Sequence, residues 1–421
     1  MLTHLISTPF PSMNCLSSLH LPPTTPFHSS VPKNSRSAGQ KFEAIWHEKE
    51  EALQSHYGDQ LWNPDRAFPV ALRGALVSTI DELIDSGCDL VISAVAPRLG
   101  FLEDKLKNAG IMVVSISPYK RQESALCVLE SNHAALRDQL IAALEEQVQK
   151  KKAADTNKST AAVATAATIP MEEVNPAALA AQISASLPQP LPLVKSPNCV
   201  CCGTSTVLSG LSFAFGRMEN VSVTTFQSLS GRGDSKYPAE LVVGNVFPLR
   251  STTEPTEELI GEELATVLCN SLTSGRDSIS VAAYRVSVQR GHLVDVRVRF
   301  EDSAGFRARL AEAGDDDASR MEVVYSALEE YRPLEAFREH LPSVPAQPII
   351  VDRGAGCPRP KSHHLGCDSG GFSVTVGNAK CIDGPYDVCI SLVVDNLVKG
   401  ALGAALQLLE YTLMVTEMKE K

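Results

Sequence analysis

The chain has no run of 18 apolar residues, so a helix that crosses a membrane is not expected. It also lacks a basic excess. Thirty-eight Lys and Arg stand against 49 Asp and Glu, a formal charge of −11, which leaves no electrostatic footprint for nucleic acid. The cysteine pattern excludes a disulfide-stapled scaffold: eleven cysteines, an odd number, are scattered along 421 residues. Free thiols in a reducing compartment are the better reading, most of them acting as small buried hydrophobes. Residues 1–42 contain no Asp or Glu and are rich in Ser, Thr, Pro and His. Transit sequences are acid-poor in this way. Few arginines and no clear amphipathic helix leave a disordered or mis-assigned segment as an equal reading, so a cytoplasmic protein is expected, with a plastid as the alternative.

What is present points to a folded protein. The 44% hydrophobic content fills real cores, and the length predicts two or three domains. Residues 88–95 form an apolar run bounded by small residues, as a strand buried on both faces requires. A short helix over 102–109 comes next, closed by Gly110, and then a second buried strand over 111–115. Strand, helix, strand at this spacing favours a parallel sheet with crossover helices. Residues 128–168 read as a surface insertion, partly helical and partly disordered, with Lys150-Lys151-Lys152 as a solvated tail. From Val221 onward the pattern alternates. Strands are expected over 221–226, 279–288, 292–300, 372–376 and 388–394, helices over 257–268 and 321–329, and a loop over 313–319. An apolar helix from Asn396 to about Met414 closes the chain. The fold class is therefore α/β followed by α+β.

Ser196-Pro197-Asn198-Cys199 carries the first chemical signal, with a helical run expected over 204–213, just after Gly203. A cysteine at a helix start has its thiolate favoured by unpaired N–H groups and the helix dipole, and thioester chemistry needs a thiolate. The competing reading is zinc held by Cys199, Cys201 and Cys202, although this spacing makes adjacent side chains point apart. His363-His364 with Cys367 is a second metal-like cluster, read as a Gly-rich loop. No metal is expected at either.

Several motifs occur in one order: Pro197-Asn198-Cys199, residues 223–231 around Gln227, Asn245-Val246-Phe247-Pro248, the run from Arg285 to His292, and Asp395-Asn396-Leu397-Val398-Lys399-Gly400-Ala401. Together they resemble aspartate-semialdehyde dehydrogenases of the archaeal and fungal type, over about residue 35 to the end apart from the insertion. The resemblance implies an incomplete Rossmann-like NAD(P)-binding domain over 35–198, completed by a C-terminal helix over 396–421. A catalytic and dimerisation domain with a mixed antiparallel sheet would occupy 199–395, and residues 1–34 would be disordered or mis-assigned. It implies NADPH-dependent reduction of L-aspartyl-4-phosphate to L-aspartate 4-semialdehyde with release of phosphate, by a homodimer or homotetramer. Cys199 would be the nucleophile, His292 the general acid/base, and Gln227 would orient the intermediate. Arg285, Asn198, Glu254 and Arg121 would bind substrate; Ser35, Arg36, Ser37, Ser93 and Asn396 would bind NADP. At His292 a near-neutral pKa would suit proton transfer both ways.

The chain departs from this pattern in places. No Gly-x-x-Gly-x-x-Gly loop precedes Ser35, and the Pro- and Ser-rich segment there is not expected to make a central strand. A mistaken gene start is favoured over truncation or a real variant, and weak NADP binding is expected. The family's lysine after a Glu pair is missing from the run Thr253 to Glu258, and Ile116 replaces a polar cofactor contact. Cys201-Cys202 would invite oxidation with Cys199. The alternatives are a catalytically impaired paralogue serving as a binding or dimerisation module, or N-acetyl-glutamyl-phosphate reductase.

Overall fold

The computed structural model describes residues 28–30, 76–78, 80–85, 90–95, 97–161, 192–231, 242–250, 255–366, 369–382 and 384–420. Ser35, Arg36, Ser37, Glu254 and Cys367 lie outside them. So do residues 88–89 of the expected strand and the last part of the expected insertion, 162–168.

Two large sheets organise the chain. Strands β3 (Leu90–Ser93), β4 (Met112–Ser115), β5 (Ala125–Leu126) and β6 (Leu193–Lys195) form an all-parallel sheet in the order β3-β4-β6-β5. Helix α1 (Ile80–Asp85) precedes it, and α2 (Phe101–Asn108) crosses from β3 to β4. At its end Gly110 takes φ +83° and its N–H returns to the Lys107 carbonyl at 3.0 Å, a turn only glycine makes without strain. The segment before Ser35 supplies a short strand, though not a central one: β1 (His28–Ser30) pairs in parallel with β2 (Leu76–Ser78), in a separate two-stranded sheet.

The second large sheet has seven strands in the order β11-β12-β13-β10-β7-β9-β8. They are β7 (Met218–Gln227), β8 (Val246–Pro248), β9 (Ile279–Val286), β10 (His292–Phe300), β11 (Ile349–Asp352), β12 (Val374–Cys381) and β13 (Val388–Val394). Parallel pairs β7–β9 and β11–β12 sit among antiparallel ones. Along β10, alternate residues Val294, Val296, Val298 and Phe300 are fully buried while Arg297 faces solvent, the alternation that one covered face requires.

Four helices serve this sheet: α4 (Cys199–Phe215), α5 (Thr256–Leu272), α6 (Ser303–Ala313) and α7 (Asp317–Glu330). Helix α4 is buried from Val200 to Ser212, and at Gly203 a Cβ would stand 2.6 Å from Val394. The helix therefore begins at Cys199 itself, earlier than expected, and its glycine is an interior packing position. The loop expected over 313–319 shrinks to three residues, because the Asp316 carboxylate caps α7 by accepting from the Ser319 N–H at 2.9 Å.

The expected surface insertion is corrected. Helix α3 (Leu129–Ala161) kinks at Asn132, whose side chain bonds Val128 N–H and the Leu126 carbonyl. Leu129, Leu136 and Leu140 are at most 2% exposed and pack against Leu408 and Tyr411 of α9 (Gly403–Glu420). Truncating any of these leucines to alanine costs about 2–5 kcal/mol. A short helix α8 (Pro360–His363) lies between β11 and β12. The closing helix does not start at Asn396: residues Val398–Leu402 form a wider π turn before α9, where a Cβ on Gly400 would stand 2.5 Å from that of Cys199. Among the described residues no helix is long and apolar enough to cross a membrane.

Candidate active site

Cys199 opens α4, with Asn198 as its cap: the Asn198 Oδ1 accepts from Val200 N–H at 3.0 Å and lies 3.5 Å from the Cys199 sulfur. Across the site stands His292, the first residue of β10 and fully buried, with Nε2 3.1 Å from Sγ. Gly291 before it takes φ +85° and has Pro360 and His364 of the α8 region against its open face, so no side chain fits there.

The hydrogen bonds of His292 assign its tautomer. Nδ1 accepts from the Ser228 main-chain N–H at 3.0 Å, a donor that cannot rotate away, and the Ser228 hydroxyl lies 3.1 Å off. A neutral ring therefore carries its hydrogen on Nε2, facing the sulfur. Protonating Nδ1 would set N–H against N–H. Burial, and then the Arg285 guanidinium, push the histidine down to about 3. The expected near-neutral, two-way proton carrier is thus corrected to a neutral donor.

Arg285, at the end of β9, is 1% exposed, and its Nη1 donates to the Ser228 carbonyl at 2.5 Å. Gln227 pairs with it in register across β7 and β9, and its Nε2 donates to Thr225 Oγ1 at 3.2 Å. The turn after Gln227 lies over both working side chains: a Cβ on Gly231 would come within 3.2 Å of the His292 ring and 3.3 Å of Arg285. Asn396 ties this turn to the histidine. Its Oδ1 accepts from Gly291 N–H at 2.9 Å and from the hydroxyls of Ser228 and Ser230, and its Nδ2 donates to Ser230. At 3% exposure, that amide is engaged within the protein.

Two acidic residues complete the surroundings. Glu263 of α5 accepts from the Asn198 N–H and pairs with Arg121 at 3.2 Å, while Arg121 Nη2 donates to the Ile116 carbonyl at 2.8 Å. Arg121 thus stands two links from Cys199, its Nε buried without a hydrogen-bond partner. Glu103 of α2 closes the carboxyl edge of the parallel sheet. Ser93 and Ser115 donate to one of its oxygens at 2.6 and 2.5 Å, and Lys195 pairs with the other, both ions being fully buried. Glu263 and Glu103 carry no signal in the sequence, and Ser228 lies in the motif around Gln227 without an expected role of its own. Each works through a partner at least 12 positions away.

The neighbouring thiols are buried and directed elsewhere. Cys201 faces the Ile260 carbonyl and Cys202 the Pro197 carbonyl, both fully buried. Burial raises both, Cys202 to about 12. The expected oxidation with Cys199 and the alternative zinc cluster both fail on these directions.

Residues 208–399 match the family described as the semialdehyde dehydrogenase dimerisation domain. An aspartate-semialdehyde dehydrogenase of Aspergillus fumigatus is 29% identical over 221 residues, 51% of this chain and 56% of that protein. One of Schizosaccharomyces pombe is 22% identical over 352 residues, 82% of this chain and 83% of that protein. The chain is thus similar to aspartate-semialdehyde dehydrogenases, at 22–29% identity to these two relatives. Its match spans little more than half the length of the Aspergillus relative. The fold agrees: a Candida albicans aspartate semialdehyde dehydrogenase solved with NADP superposes with TM-score 0.63 at 20% identity, over 96% of this chain and 94% of that one. A Rossmann-type parallel sheet beside a dimerisation sheet is the architecture of this family, as expected.

The place for a nicotinamide cofactor fits, since open parallel sheets take dinucleotides at their carboxyl edge and β6 ends four residues before Cys199. At that edge the side chains of Ser93, Ser115 and Lys195 are engaged by Glu103, which leaves cofactor contacts to other groups.

Proposed function

We propose that the chain performs the family's acyl-transfer chemistry on Cys199, reductive dephosphorylation of L-aspartyl-4-phosphate to L-aspartate 4-semialdehyde, with NADPH as reductant, on the route to lysine, threonine and methionine. The observation that carries the reading is the 3.1 Å approach of a fixed His292 Nε2–H to a sulfur at a helix start. The helix N-terminus and that N–H favour the thiolate together. A thiolate attacking the acyl phosphate forms the C–S bond as the C–O bond to phosphate breaks, and phosphate leaves with the electron pair. The cofactor, when bound, supplies hydride. Starting from a thiolate, acyl transfer and the later return of sulfur need no proton from His292. Its N–H donates to sulfur or to an adjacent oxyanion, which is the role a neutral ring fills.

Arg285 is proposed to hold the substrate carboxylate and Gln227 to orient the acyl group. Asn198 would support the nucleophile, with Arg121 and Glu254 near the substrate's anionic end. Ser35, Arg36 and Ser37 are the proposed NADP contacts; Ser93 is not among them, because its hydroxyl is engaged by Glu103. Residues 35–198 with 396–421 are proposed as one domain and 199–395 as the other, paired in a homodimer or homotetramer. The engagement of the sheet edge by Glu103 favours one second reading, a paralogue impaired in cofactor binding that persists as a dimerisation module. Phosphate-dependent NADP reduction with aspartate semialdehyde, compared with Cys199→Ala, separates them. Activity lost in the variant supports the enzyme. Folded dimers silent in both forms support the module, and equal rates in both remove Cys199 from the chemistry.

A further inference from the structure

We propose that Asp352, Cys357 and His363 form a divalent-metal site, suited to zinc, which braces the turn that carries His292. Their ligand atoms lie within 4.8 Å of one another, the one such group of mixed donors among the described residues. The site stands independently of the proposed reaction, and it departs from the expectation of no metal near His363.

The three side chains reach one point from three pieces of backbone. Asp352 ends β11, Cys357 sits in the loop after it at 6% exposure, and His363 ends α8. Asp352 Oδ2 and His363 Nε2 are 2.9 Å apart, and both side chains keep partial access to solvent. The loop leaves room: a Cβ on Gly354 would stand 2.9 Å from Asp352 Oδ1 and 3.2 Å from the Cys357 sulfur, and one on Gly377 of β12 would strike the carbonyls of both Asp352 and Cys357. Tetrahedral zinc, with bonds of about 2.0–2.3 Å, sets ligand atoms roughly 3.5 Å apart, so closure needs shifts of about an ångström.

The donor chemistry agrees. One thiolate, one imidazole and one carboxylate suit zinc with water in a fourth position. The Arg359 Nη2 donates to the Cys357 sulfur at 3.8 Å. His363 Nδ1 lies 2.9 Å from the Arg359 N–H and 3.1 Å from the Arg359 carbonyl. Unlike His292, this ring has a carbonyl to receive its other hydrogen, so it can carry Nδ1–H and turn a bare Nε2 toward an ion. A ring N–H on a carbonyl is the usual support for a metal-bound histidine. Binding of the ion replaces the thiol hydrogen, which leaves as a proton to solvent.

The brace rests on packing. Pro360 and His364 fill the space against Gly291, the residue before His292, and Thr375 of β12 donates to the His363 carbonyl. An ion joining β11 to α8 holds that backing in place.

The test uses the full-length protein, stripped with a chelator and titrated with cobalt and then zinc. Expected are one equivalent bound, a thiolate-to-cobalt charge-transfer band and the strong visible bands of tetrahedral cobalt, displaced by zinc. The signal should persist in Cys199→Ser, vanish in Cys357→Ser, and weaken at least about tenfold in affinity in His363→Gln. Circular dichroism identifies variants that fold, and Asp352→Asn serves should Cys357→Ser fail to. A folded protein with no cobalt signal overturns the proposal. So does a signal that survives Cys357→Ser and disappears in Cys199→Ser.

Discussion

Two cysteine–histidine pairs in this chain are built from the same groups and suited to different work. At Cys199–His292 the far ring nitrogen meets only donors it must accept from or a hydroxyl, with the Ser228 N–H rigidly placed. At Cys357–His363 the far nitrogen lies between an N–H and a carbonyl of one residue. The first ring is locked with hydrogen toward sulfur; the second is free to exchange tautomers. The group behind a histidine, more than the cysteine before it, thus decides between hydrogen-bond catalysis and metal ligation.

The largest effect expected is at the nucleophiles themselves. Cys199→Ala should abolish phosphate-dependent turnover, while Cys357→Ala in metal-free protein leaves it within about twofold, read in the same assay. Comparable losses in both would erase the distinction. Next, His292→Ala should cost about 10²–10³ in kcat, the usual loss of one oxyanion donor. His292→Gln, which restores an N–H near the Nε2 position, should recover at least about tenfold of that. If glutamine is no better than alanine, proton transfer rather than donation is the histidine's task.

The pH profile sharpens the same point. Because the folded pKa of His292 is depressed to about 3 from 6.5, the neutral donor persists through pH 5–8, and kcat should show no histidine break near 6.5. Its contribution to stability is present above pH 6.5 and is lost as pH falls toward 3. Glu410, remote from both pairs, is the smallest and a control. Burial raises it to about 7 from 4.5, against two hydrogen bonds from Ser343. The native state thus prefers the protonated acid, and stability falls as pH rises from 4.5 to 7, by up to about 3 kcal/mol. Glu410→Gln should flatten the thermal-melt profile across that window without altering either pair.

Much of the fold is legible because strands announce themselves by alternation or unbroken apolar runs: the sequence pattern places β10 and β13 at their observed bounds, and β4 within one residue. Helix α3 reads wrongly as a surface insertion because its buried leucines precede a polar, lysine-bearing stretch in the same helix, and composition averages the two. At the site, Cys199 and His292 stand in ordered motifs. Ser228 stands in one as well, but its part there is not legible, since it contributes a main-chain N–H that any residue but proline supplies. Glu263 and Glu103 stand in none, and their meaning lies in partners from distant segments. Asp352 and Cys357 are likewise invisible beside His363, because Gly354 and Gly377 let the loop fold back in space.

Asn396 joins Gly291 to the Ser228–Ser230 turn across separations of 105 to 168 residues. On the ribosome, Cys199 and His292 are both synthesised well before the amide that knits their surroundings. Such long-range closure is slow relative to local structure. The nascent chain therefore carries Cys199 through nearly two hundred further residues of synthesis before the amide that closes its surroundings is made.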